Sequence, residues 1–161
     1  MAQIGRHGVL VLCGILLSVA AGGSVSTQRA DTKSVEDAVL AVSAEMTKAG
    51  EAADADRLFG YMLETDKGSV IQNGVLMATR QEALERVRTN LGGISRIQYR
   101  WKRQYVTVLS PEVAVLAAEG QSTATTAAGQ TFTTPFAQTV VFVLKDGAWR
   151  AIHAHQSAPR R

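Results

Sequence analysis

Residues 146–157 read Asp-Gly-Ala-Trp-Arg-Ala-Ile-His-Ala-His-Gln-Ser and lie close to the end of the 161-residue chain. The Asp-Gly pair is typical of a tight turn, because both residue types tolerate positive φ. Residues 148–157 lack a helical period and are predicted to be the final β-strand. Alternate side chains of a strand share a face. One predicted face consists of Trp149, Ala151, His153, His155 and Ser157.

Three long strand patterns precede this one, at residues 95–109, 113–125 and 131–144. Four long strands joined by short turns predict an antiparallel meander. Residues 139–144 are apolar on both faces, whereas an antiparallel strand usually leaves one face in water. We therefore expect helices to cover one face of the sheet and a second copy of the chain to cover the other, which gives a homodimer through the sheet.

Three helices are predicted before the meander. Apolar residues recur every three or four positions within residues 34–50, which predicts the first helix. Ser34, at the start of this range, is a suitable N-cap. Asp54 is the predicted N-cap of a second, shorter helix. Thr79 and Glu82 form a capping box at the start of a third helix, which a glycine pair ends.

A short hairpin is predicted between the second and third helices. Asn73-Gly74 lies between two short apolar runs, and this dipeptide suits a type I′ turn. The sequence therefore predicts an α+β fold, in which three N-terminal helices pack on an antiparallel sheet made of a short hairpin plus four long strands.

The N-terminus has the pattern of a cleavable signal peptide over residues 1–26, with a basic start, an apolar run and then small residues. The apolar run is shorter than the roughly 20 residues of a spanning helix, so no stable membrane span is expected after cleavage. A retained N-terminal anchor is the alternative. Residues 27–33 are predicted to be a linker. The protein is therefore expected to be exported, to the periplasm or out of the cell.

Charge and cysteine content exclude several functions. Removing Arg6 with the signal leaves 16 basic against 14 acidic residues, and no concentrated basic face of the nucleic-acid-binding kind is predicted. The single cysteine, Cys13, falls within the signal, so no disulfide, thiol nucleophile or cysteine-ligated metal is expected in the mature protein. No cofactor motif is present.

Two stretches resemble the nuclear transport factor 2-like superfamily. Residues 146–157 resemble the closing strand of its SnoaL-like branch and of the calcium/calmodulin-dependent kinase association domains. Residues 73–84 are similar to the glycine and capped-helix segment of the same proteins. The resemblance covers residues 34–158 as one domain and leaves 159–161 as a tail. It implies a cone-shaped curved sheet wrapped around a helix, with a pocket inside the cone.

The resemblance also extends to ketosteroid isomerases, where a carboxylate on the short hairpin is the general base. Here Gln72 or its neighbour Asn73 stands at the expected place. An amide cannot accept the proton, so the isomerase mechanism is disfavoured.

Several side chains are candidates for a binding site. Alternation places Tyr99, Trp101, Arg103 and Tyr105 on one strand face, either as pocket walls with Arg103 pairing an anionic group or as a cross-strand aromatic ladder. Glu119 is either at the solvent-exposed end of its strand or a carboxyl group of the binding site with a raised pKa. The predicted ligand-binding residues are Tyr61, Gln72, Tyr99, Trp101, Arg103, His153 and His155.

The catalytic candidates are His153, His155 and Arg103, because histidine exchanges protons near neutral pH and arginine polarises oxygen atoms. Two histidines on one strand are an incomplete zinc site, so no metal is expected.

The favoured function is an exported, homodimeric module that binds a small apolar or weakly anionic molecule without a cofactor. The alternatives are a cyclase, isomerase or dehydratase that uses these residues, and a non-catalytic interaction module with a filled cone. An open cavity, and the side chains that point into it, distinguishes the three.

Overall fold

A computed structural model describes residues 24–159, with side chains from residue 31 onward. The elements are α1 (Ser24–Glu51), α2 (Ala55–Gly60), β1 (Val70–Gln72), β2 (Val75–Met77), α3 (Arg80–Leu91), β3 (Ile94–Ser110), β4 (Val113–Thr126), β5 (Thr131–Lys145) and β6 (Ala148–Ser157). The order of three helices, a short hairpin and four long strands is the predicted α+β fold. Most of the predicted signal peptide lies outside the described residues, so its cleavage stays a prediction.

Helix α1 begins at Ser24 rather than at the predicted N-cap Ser34. Residues 27–33 are therefore helical, and their service as a linker stays a prediction. They contain no glycine or proline, and Lys33 Nζ lies 2.8 Å from a carboxylate oxygen of Asp37 one turn later. Such pairs stabilise a polar turn that has no apolar face. The missing hydrophobic period was thus a poor guide to the start of this helix.

The local signals for the next elements are confirmed. The Asp54 carboxylate accepts a hydrogen bond from the Arg57 backbone N–H at 2.9 Å and caps α2. Thr79 Oγ1 accepts one from the Glu82 N–H at 3.1 Å at the start of α3. In the hairpin turn, Asn73 and Gly74 have φ of 51° and 83°, as a type I′ turn requires.

The six strands form one open sheet in the order β2-β1-β6-β5-β4-β3. Strands β3 to β6 form the predicted antiparallel meander. Strand β1 instead runs parallel to β6, so the sheet is mixed and the prediction of a wholly antiparallel sheet is wrong in this pair. The chain leaving α2 already follows this direction, because Met62 forms a parallel bridge with Ala151.

The helices cover one face of the sheet, which we call the inner face; the opposite side is the outer face. Val39 of α1, Phe59 of α2 and Leu84 of α3 belong to one buried cluster with Leu116 and Phe142 of the sheet. Burial of such side chains is the main contribution to stability. Val141 and Val143 alternate with the inner residues along β5. They point to the outer face and are half-buried in the single chain.

A β-bulge in β3 changes which side chains face inward. Trp101 lies opposite Gly120 and Arg103 lies opposite Glu119, so Lys102 is an extra residue with no opposite residue in β4. An extra residue shifts the alternation by one position. The predicted common face is therefore wrong: Tyr99 and Trp101 face inward, whereas Arg103 and Tyr105 face outward.

Gly120 permits this bulge. A Cβ atom at Gly120 would lie 2.7 Å from the Arg100 carbonyl oxygen and 3.2 Å from the ring of Trp101. The close approach of the two backbones therefore excludes any side chain at this position.

A second bulge divides the closing strand in the same way. His153 lies opposite Val141 and Ala151 lies opposite Phe142, which leaves Ile152 as the extra residue. Ala151 is fully buried on the inner face, while His153 follows Val141 to the outer face. The prediction that the histidines share a face with Trp149 and Ala151 is wrong for this reason.

Candidate functional site

A cavity of about 230 Å³ lies between the helices and the inner face of the sheet. Most of its wall is apolar, and all three helices and strands β1, β3, β5 and β6 contribute to it. The apolar lining consists of Met46, Leu58, Phe59, Met62, Val70, Val87, Leu91, Trp101, Val140, Phe142 and Ala154. The cone is therefore open inside rather than filled by its own side chains.

Three glutamines form a polar strip on the sheet wall of the cavity, which we call the glutamine row. Gln72 on β1 lies opposite Gln156 on β6, and Gln156 lies opposite Gln138 on β5. All three line the cavity. Gln72 Nε2 donates a hydrogen bond to Gln156 Oε1 at 2.7 Å. The row spans neighbouring strands, so its amides are held side by side.

Tyr99 stands at the junction of the sheet with the end of α1. Its backbone N–H donates to the Glu51 carboxylate at 2.8 Å. A Cβ at Gly50 would lie 3.1 Å from the Tyr99 ring, so the helix approaches the ring closely. Burial, and then the nearby charge of Glu51, raise the pKa of the Tyr99 phenol. Tyr99 therefore keeps its phenolic proton near neutral pH, and its hydroxyl can donate or accept a hydrogen bond.

The cavity lining is almost free of ionisable groups. Among the described residues that line it, Tyr99 is the one titratable side chain; the other polar groups are Ser43, Thr47, Asn90 and the glutamine row. Amides and hydroxyls bind and orient a ligand, but they do not act as general bases near neutral pH. The arrangement is suited to hydrogen bonding in an apolar enclosure.

The two histidines lie on the other side of the sheet from this cavity. His153 Nδ1 lies 2.6 Å from the Gly68 carbonyl oxygen, a contact that ties β6 to the segment before β1. His155 is exposed and lies opposite Thr139. With Arg103 and Tyr105 they belong to the outer face; His155, Arg103 and Tyr105 line an open groove of about 490 Å³. Tyr61 is half-buried at the end of α2 and is not part of the cavity lining.

Glu119 is paired on the outer face. Its carboxylate oxygens lie 2.7 Å from Arg103 Nη2 and 2.9 Å from Lys102 Nζ. Hydrogen bonds from Arg103, and then from Lys102, lower the pKa of Glu119 to about 2. The alternative of a site carboxyl with a raised pKa is therefore wrong. The positive charge of Arg103 is therefore paired with the Glu119 carboxylate within the chain.

Of the predicted ligand-binding residues, the cavity brings together Gln72, Tyr99 and Trp101. Sequence reasoning missed Gln138 and Gln156. Gln138 alternates with Phe136 and Val140 along β5, which was a usable signal for an inward amide. Gln156 was not predicted to line the cavity because the bulge at Ile152 reverses the faces of β6.

Residues 24–159 contain no group of three or more histidine, cysteine, aspartate or glutamate residues arranged to hold a metal ion. None of their helices combines the length and hydrophobicity needed to cross a membrane.

Comparisons with known proteins agree with this architecture. The family model of the SnoaL-like domain matches residues 39–161. A search of curated protein sequences finds no match.

Solved structures with the same fold include a proposed dehydratase of the NTF2-like family from Streptomyces avermitilis (TM-score 0.71, 15% identity, covering 81% of this chain and 99% of that one). A proposed calcium/calmodulin-dependent protein kinase II association domain from Xanthomonas campestris has a TM-score of 0.66 and 19% identity, and the match covers 76% of this chain and 86% of that one. An NTF2-like superfamily protein from Salmonella enterica has a TM-score of 0.68 and 17% identity, and the match covers 83% of this chain and 94% of that one. The resemblance predicted from the sequence is thereby confirmed for family and fold.

Proposed function

Because the chain belongs to the SnoaL-like family, we propose that it binds a small neutral molecule in the inner cavity and does not catalyse acid–base chemistry there. The observation that carries the proposal is the lining: an apolar enclosure with amides, hydroxyls and one protonated phenol. A ligand that is largely apolar gains binding energy from the removal of its surface from water. The polar groups then fix its orientation.

The enzyme alternative receives less support from the geometry. A general base must lie within hydrogen-bond reach of the proton that it removes. The sheet separates His153 and His155 from the cavity, and Gln72 or Asn73, both amides, stands where the resemblance places an acid. The dehydratase name belongs to a neighbour of 15% identity, and a shared fold does not transfer an activity.

The tryptophans provide a test with a control inside the same molecule. Trp101 lines the cavity, whereas Trp149 packs against the core outside the lining. In a titration of ¹⁵N-labelled protein with naphthalene, followed by NMR, the indole N–H signal of Trp101 is expected to shift and that of Trp149 to stay in place. A Trp149→Phe variant assigns the two signals. If neither signal moves with naphthalene or with its neutral polar analogue quinolin-2(1H)-one, the proposed binding function is wrong.

We further propose that the outer face forms the interface of a homodimer. Tyr105 is 62% exposed in the single chain, and Val141 and Val143 on the same face of the sheet are apolar and half-buried. Apolar side chains that are left partly in water on one face favour burial against another protein surface. Light scattering after size-exclusion chromatography should give twice the monomer mass at micromolar concentration. Tyr105→Glu should give a monomer, and Gln81→Glu, the same charge change on α3, should not; a wild-type monomer would refute the dimer.

Export is the remaining proposal, and it rests on the pattern of residues 1–26. N-terminal sequencing of the protein recovered from the periplasm or the medium should give a start near residue 27. Recovery of the full-length chain at the membrane would support the retained anchor instead.

A further inference from the structure

The glutamine row carries information about the ligand that the apolar lining does not. A glutamine amide has one oxygen acceptor and two N–H donors. The bond from Gln72 to Gln156 uses one donor and one acceptor of the pair. Whichever way the two amides are turned, one oxygen and one amino group remain unused, side by side on neighbouring strands.

Gln138 adds a third amide to this strip. It lies opposite Gln156, and the hydrogen bonds among the described residues leave its side chain without a partner. A wholly apolar ligand would cover these groups and leave them unpaired, which is unfavourable. A ligand that presents a donor beside an acceptor would satisfy them.

The charge of the cavity limits the ligand further. Its described lining holds no carboxylate, ammonium, guanidinium or imidazole group. An ionised carboxylate or amine would therefore be buried without a counter-charge, at a high cost. The polar part of the ligand must be neutral.

We propose that the cavity selects a planar lactam or carboxamide. In this arrangement the ligand carbonyl accepts from one glutamine N–H, the ligand N–H donates to the oxygen of a neighbouring glutamine, and the apolar body packs against Trp101 and Phe142. The inference rests on the proposed binding function and assigns the ligand class for the same cavity.

Three probes of similar shape test it: quinolin-2(1H)-one, its N-methyl derivative and naphthalene. The N-methyl lactam keeps the carbonyl but lacks the donor, and naphthalene lacks both. The affinity of each probe is measured from the shift of the Trp101 indole signal. Quinolin-2(1H)-one should bind at least about tenfold more tightly than either of the others. Equal affinities would overturn the lactam assignment and leave the binding function intact. Absence of binding by all three would overturn both.

Variants locate the preference. Gln156→Leu should reduce the ratio of lactam to N-methyl lactam affinity to about one, with naphthalene affinity kept or improved. Gln138→Leu, which removes no hydrogen bond within the described part of the chain, should lower the ratio and serves if Gln156→Leu fails to fold. Gln98→Leu, on the exposed outer side of β3, is the matched control and should leave the ratio unchanged. A ratio that survives both inner variants would refute the role of the glutamine row.

Discussion

The two faces of one sheet differ in charge and in the polar groups that they present. The inner face is apolar with a row of neutral amides, whereas the outer face carries the Arg103–Glu119 ion pair and the two histidines. The residues with the most familiar catalytic chemistry are therefore separated from the enclosed space by the thickness of the sheet. Residue type alone is therefore a poor indicator of the site in a strand-rich protein, because a single inserted residue exchanges the faces.

Neighbouring residues of β5 give the largest expected contrast between the faces. Phe142 is fully buried on the inner face, while Val141 points outward and is half-buried. Phe142→Ala should lower the free energy of unfolding by about 3–5 kcal/mol, and Val141→Ala by less than about 1 kcal/mol when measured on a monomeric background. Urea denaturation followed by fluorescence measures both. Similar losses for the two variants would contradict the assignment of faces.

The β3 bulge is tested at its glycine. Gly120→Ala forces a Cβ to within 2.7 Å of the Arg100 carbonyl oxygen, so the variant should lose about 2–3 kcal/mol of unfolding free energy. Gly60→Ala is the control, because a Cβ there meets no atom within 4 Å; it should change the stability by less than about 1 kcal/mol. If Gly120→Ala is as stable as the wild type, β3 does not contain the bulge described.

The smallest effect concerns the outer ion pair and depends on pH. The folded pKa of Glu119 is lowered from 4.5 to about 2, so the ionised form is favoured by folding. Its contribution is present above about pH 4.5 and is lost as the pH falls through the folded value. The melting temperature of Glu119→Gln should thus lie slightly below that of the wild type at pH 7, and the gap should close towards pH 2. A gap that is independent of pH would refute the pairing.

Local chemistry made much of this fold predictable. The caps at Asp54 and Thr79 and the Asn73-Gly74 turn are determined by a few adjacent residues, and the four long strands by unbroken runs between turns. The start of α1 was not predictable from periodicity, because a polar helical turn needs no apolar face.

The site was harder to predict than the fold for a physical reason. A bulge depends on the partner strand: Lys102 has no opposite residue in β4, and Gly120 allows the two backbones to approach there. Either Gln72 or Asn73 was predicted to stand at the position of the acid, and of these two residues Gln72 lines the cavity. Gln156 could be assigned only once the register of β6 against β5 was known.

The face of the sheet that the ligand contacts can be observed directly. With quinolin-2(1H)-one bound to ¹³C,¹⁵N-labelled protein, intermolecular nuclear Overhauser effects measure proximity to individual side chains. We predict effects between the ligand ring protons and Trp101, Val140 and the Gln156 amide, which surround the cavity, and none to His155. Effects to His155 or Tyr105 without effects to Trp101 would place the ligand on the outer face and contradict binding in the inner cavity.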